Sequence, residues 1–110
     1  MKATFWQRGE ALDYKNETSS VIEANTVVAG GNIVGVVGTD INPGETGSLH
    51  VAGVFEMTKA ASDEIAFGDL VYFDESSGEI TKTASGNVQA GYAASVAGTT
   101  TTTVLVKLLG

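Results

Sequence analysis

The chain has one histidine, His50, and no cysteine. A Ser-His-Asp arrangement would have to use His50 as its base, and a metal site of several histidines is impossible. Cysteine nucleophiles, thiolate zinc sites and disulfides are excluded with the cysteines. No Gly-x-Ser-x-Gly elbow accompanies the histidine. His50 falls inside an alternating run, and it reads as a half-exposed strand residue rather than a catalytic base.

Carboxylates gather at Asp40/Glu45, at Asp63/Glu64 and at Asp69/Asp74/Glu75/Glu79. None of these groups has the alternating oxygen spacing, glycine and terminal Glu of a calcium loop. A pair of catalytic carboxylates needs a separation that only the fold sets, and solvated turns are the simpler reading. Gly31-Asn32-Ile33-Val34-Gly35-Val36-Val37-Gly38 has the glycine density of a phosphate loop, but no Lys-Ser/Thr ending and no helix after it. Asn16-Glu17-Thr18 fits a glycosylation acceptor pattern, yet the start of the chain turns polar too early for a secretion signal. The expectation is a protein with no catalytic residues, no cofactor and no metal.

Of 110 residues, 6 are Lys or Arg and 13 are Asp or Glu, a formal charge of −7. Binding to nucleic acid or to an anionic membrane surface draws on the opposite sign. With 43% apolar and 17% charged residues the chain is folded rather than disordered. Its length suits one domain, and no apolar run approaches the ~20 residues of a spanning helix. A soluble product that stays in the compartment where it is made is expected.

Positioning of these side chains falls to strands. Val and Thr abound, straight-chain helix formers are scarce, and 14 glycines punctuate short apolar runs. The pattern predicts strands at Ala3–Arg8, Thr26–Ala29, Ile33–Val37, Gly47–Glu56, Leu70–Asp74, Glu79–Thr83, Val88–Val96 and Val104–Leu108. Asp13–Ser20 reads as a polar loop, and Ala60–Ile65 as the one short helical turn, capped by Ser62. Pro43-Gly44 suits the centre of a type II turn, and Ser76-Ser77-Gly78 the loop of a hairpin. The fold class is mainly β, a small single-domain barrel or sandwich spanning 1–110 with at most one short helix.

The chain as a whole then resembles a known family. Ala3-Thr4-Phe5-Trp6-Gln7-Arg8-Gly9-Glu10-Ala11-Leu12-Asp13-Tyr14 is similar to the opening of small tailed-phage proteins of the DUF2190 family, described as capsid cement or head decoration proteins. Gly53-Val54-Phe55-Glu56, Gly68-Asp69-x-Val71-Tyr72-Phe73-Asp74, Gly91-Tyr92-Ala93 and Val104-x-Val106-Lys107-Leu108 follow in order. The resemblance implies a non-enzymatic, mainly β homotrimer on the outer surface of the expanded head, made in the host cytoplasm. Its implied partners are the major capsid protein and further copies of itself, with no nucleic acid and no membrane. It would help the shell resist the pressure of packaged DNA.

Phe5, Trp6, Arg8 and Tyr14 concentrate aromatic and polar anchors before the regular strands, and they are the expected capsid or trimer interface. Trp is over-represented at interface hot spots. The alternative reading is a β-barrel module that binds glycans or host surfaces through Trp6, Tyr72 or Tyr92. A small hydrolase built on His50 is the third.

Overall fold

Nine short strands make up the regular structure among the described residues, 1–109, of this computed structural model. They are β1 (Ala11–Lys15), β2 (Val27–Gly30), β3 (Ile33–Val37), β4 (Thr46–His50), β5 (Val54–Thr58), β6 (Leu70–Asp74), β7 (Glu79–Thr81), β8 (Val88–Ala93) and β9 (Thr103–Leu108). A four-stranded sheet runs β1-β4-β3-β2 and a five-stranded sheet β5-β9-β8-β6-β7. Neighbouring strands are antiparallel throughout. The larger sheet curls until its two edges meet at an isolated Lys59↔Ile80 bridge, where the Ala60 N–H donates to the Ile80 carbonyl at 2.9 Å. The mainly β expectation holds, in the form of a curled sheet with a second sheet against it.

The period of two explains what is inside. Along β9, Val104, Val106 and Leu108 are buried while Thr103, Leu105 and Lys107 are exposed. They join Met57, Val71, Phe73, Ile80 and Ala90 in the main core, which Val34 and Val36 of β3 close from the other sheet. Burying each such branched side chain contributes roughly 1.5–3 kcal/mol. β3 is covered on both faces, because Val37 points the other way into a second cluster with Ile41, Leu49 and Val51. The small-residue character of β8 also has a cause. A register shift between Val71 and Tyr72 leaves Ala90 without a partner between Gln89 and Gly91, and a side chain at Gly91 would run into the Lys107 carbonyl.

Two turns follow their residues. Gly44 has φ 81° and the Glu45 N–H donates to the Asn42 carbonyl at 3.0 Å, as a type II turn centred on Pro43-Gly44 requires. Between β6 and β7, Gly78 sits at φ 71° and Asp74 accepts from both the N–H and the hydroxyl of Ser76.

Three expectations are corrected. Ala3–Arg8 is not a strand: it runs free of both sheets, and the first strand is Ala11–Lys15, which overlaps the start of the expected loop Asp13–Ser20. Gly47–Glu56 is not one strand either. It breaks at Gly53 (φ 115°) so that β4 serves the smaller sheet and β5 the larger. Ala60–Ile65 forms no helix. It is a turn in which the Asp63 N–H reaches the Ala60 carbonyl and Ile65 bridges Ala97. Strand ends are also shorter than expected at Thr81 and Ala93.

Candidate functional site

The first nine residues form an exposed arm. Phe5 is 83% and Trp6 88% exposed, and Arg8 lies open beside them. The arm is tied to the body at its base, where the Val51 N–H donates to the Glu10 carbonyl at 2.9 Å and Gln7 Nε2 to the Ala11 carbonyl at 3.4 Å. The Cα radius of gyration is 14.7 Å, against about 13 Å for a compact domain of this length, an excess in keeping with a projecting arm. Tyr14 is not on the arm with the other three expected anchors. It lies on β1, half-buried against the second cluster.

Tyr14 instead lines an open groove of about 510 Å³ with Val21, Ile22, Val27, Ala29 and Phe73, and with Glu23 and Glu75 at its rim. The groove follows the outer edge of β2, which pairs only with β3. The Val37 N–H bonds to the Thr26 carbonyl at 3.0 Å. By alternation Val28 and Gly30 direct their amides to β3, and Val27 and Ala29 direct theirs into the groove.

A third surface is the outer face of the curled sheet. The register sets Leu70 against Tyr92, Tyr92 against Lys107 and Lys107 against Val54, an exposed row across four strands with Leu105 beside it. Tyr72 lies on the same face of β6, half-buried. Trp6 is remote in sequence and on the arm, so the three candidate stacking aromatics do not line the β2 groove or one another's surroundings as a set.

The aspartates of the carboxylate groups are hydrogen-bonded to nearby loops and strands. Asp63 Oδ2 accepts from the Thr81 hydroxyl at 2.8 Å and the Lys82 N–H at 2.9 Å. The Lys82 N–H, then the Thr81 hydroxyl, hold its pKa below the ordinary value, helped by the charges of Lys59 and Lys82. Asp69 is lowered chiefly by the Ala66 N–H and Asp74 chiefly by the Ser76 hydroxyl. Asp40 accepts from the Ala24 N–H at 2.8 Å. Among the described residues no group of three or more His, Asp or Glu is placed to hold a metal ion. His50 is exposed on β4 with its ring against Gly38. Gly31–Gly38 is a hairpin: Gly31, at φ 59°, begins the two-residue loop between Gly30 and Ile33.

Two buried polar side chains escape sequence reading. Asn16 is fully buried. Its Nδ2 donates to the Ser20 and Ile41 carbonyls, each at 2.8 Å, and its Oδ1 accepts the Thr18 N–H at 2.9 Å. Both amide hydrogens are committed, so the acceptor-like Asn16-Glu17-Thr18 is an Asx turn and not a free attachment site. That Asn-x-Thr spacing was the available signal. Lys59 is buried with its Nζ at 2.8 Å from the Ala60 carbonyl and 2.6 Å from that of Asp63. A lone Lys among Met57, Ala60 and Ala61 was the only hint.

An aromatic arm, an apolar sheet row and aspartates that serve the local backbone define an all-β protein equipped with contact surfaces. Residues 6–108 match the phage cement protein family, and the chain belongs to it. It is therefore a capsid-associated phage protein of a structural family. No curated protein and no solved structure matches it.

Proposed function

We infer that the chain decorates the outer surface of the expanded phage head as a homotrimer. There it bridges neighbouring major capsid protein subunits and strengthens the shell against the pressure of packaged DNA. The single observation that carries this reading is the family match over residues 6–108. A charge of −7 supports an exterior position, since an acidic protein is repelled by packaged genome. A trimer at a three-fold position makes several equivalent contacts, and linked contacts bind far more tightly than one alone. Phe5, Trp6 and Arg8 act as anchors, in the capsid contact or in the seam between copies.

The test is cosedimentation of the purified protein with undecorated expanded heads, followed by heating of the decorated and bare particles. Saturable pelleting and DNA release at a higher temperature are the expected results. Protein left in the supernatant at every ratio would refute the reading.

A further inference from the structure

Ala3–Arg8 is rich in strand-forming residues (Thr4, Phe5, Trp6), yet it has no strand partner and its two large aromatics face water. Local preference and environment conflict there, and conflicts of this kind mark functional segments. The β2 edge presents the converse: outward amides at Val27 and Ala29, an apolar floor of Val21, Ile22 and Phe73, and no strand alongside among the described residues. Exposed edges of this sort recruit extended segments. The charges match as well. Ahead of Glu10 the arm carries Lys2 and Arg8 and no acid, whereas the groove is rimmed by Glu23 and Glu75.

We propose that Ala3–Arg8 of one copy adds as a strand to the β2 edge of a second copy, with Trp6 in the Tyr14–Phe73 groove, Arg8 and the flanking Lys2 on the same face toward Glu23 and Glu75, and Phe5 on the opposite face. Six extended residues span about 20 Å, longer than the four-residue β2, so the cations reach past the ladder to the rim. This arm exchange deepens the proposed trimer and rests on it for its biological setting: it assigns the arm to the seam between copies rather than to the shell.

Trp6 is the only tryptophan, so its emission reports the arm directly. The full-length protein is diluted over several decades while Trp6 fluorescence and molar mass by light scattering are recorded. A blue shift that grows with concentration in step with the rise in mass is expected. Lys2→Glu/Arg8→Glu, or Glu23→Lys/Glu75→Lys, each raise the concentration of half-association by about tenfold or more, and an equimolar mixture of the two variants recovers part of it, because a ring of three keeps one junction between like variants. Emission that stays red at all concentrations overturns the proposal, as does a blue emission that persists once the mass has fallen to that of the monomer, which would mean the arm folds onto its own body. So does blue-shifting only when heads are added, which would give the arm to the shell. Cosedimentation separates the two readings: monomers with a red Trp6 that still coat heads refute arm exchange alone, and arm-exchanged assemblies that ignore heads refute decoration alone.

Discussion

Asn16 and Lys59 solve the same problem in the two sheets by different chemistry. Each is buried, and each fastens an irregular stretch that has no ladder to hold it. Asn16 ties residues 16–20 to Ile41, with its backbone adding Asn16 N–H to the Glu45 carbonyl and Gly44 N–H to the Asn16 carbonyl, both 2.8 Å. Lys59 gathers the carbonyls of Ala60 and Asp63 under the curled sheet where its edges meet. The amide both donates and accepts, so its surroundings are closed and neutral. The ammonium only donates and keeps a charge out of water, with Asp63 as the nearby counter-charge. Without cysteine, and with no helix among the described residues, the chain relies on such polar fasteners where a disulfide would otherwise serve.

The comparison predicts unequal losses. Lys59→Ala removes a buried stem and orphans its carbonyls, and is expected to cost about 4 kcal/mol in urea unfolding. Lys59→Met keeps the volume and should cost about half as much; equal losses would mean that the ammonium, not the stem, matters. Asn16→Ala is expected to cost about 2–3 kcal/mol. Asn16→Asp should recover little of it at neutral pH, because a carboxylate cannot donate to Ser20 and Ile41; full recovery would break the account of the amide as donor.

A smaller effect separates Asp63 from its neighbours. Its folded pKa is lowered, so it contributes stability that is present above its unfolded pKa of about 3.9 and is lost as pH falls through the folded value. Asp63→Asn should therefore narrow the stability difference between neutral pH and about pH 3, leaving the part due to Asp69 and Asp74. Acid unfolding curves that superimpose would contradict this. The smallest change belongs to Trp6→Ala, expected to alter the stability of the dilute protein by no more than about 0.5 kcal/mol while weakening its association. A larger loss would show that the arm packs on its own body.

What could be read beforehand was what local physics decides. The Pro43-Gly44 turn, the Asp74–Glu79 hairpin and the alternation of β9 need no distant partner to be recognised. The failures were tertiary. Ala3–Arg8 has a strand's composition but finds no strand in its own chain. Ala60–Ile65 is drawn out of a helix by the Lys59 ammonium and by the bridge from Ile65 to Ala97. At the candidate site, Phe5, Trp6 and Arg8 stand out in the sequence because aromatics beside a cation are conspicuous in an acidic chain, and the structure leaves all three exposed. Tyr14 lies apart from them, on a strand that sets it half-buried against the second cluster and beside the groove. Asn16 and Lys59 stayed hidden because their partners are carbonyls, which no sequence displays.

The placement of β9 between β5 and β8 has a consequence for biosynthesis. Until residues 103–108 leave the ribosome, β5 and β8 face a vacancy one strand wide, and the curled sheet cannot be knitted together from residues 54–93. Such pairing is slow because it awaits contacts far apart in the chain. Nascent chains therefore remain open until synthesis has passed Leu108, and ribosome-stalled chains cut short of Thr103 should be digested readily by protease.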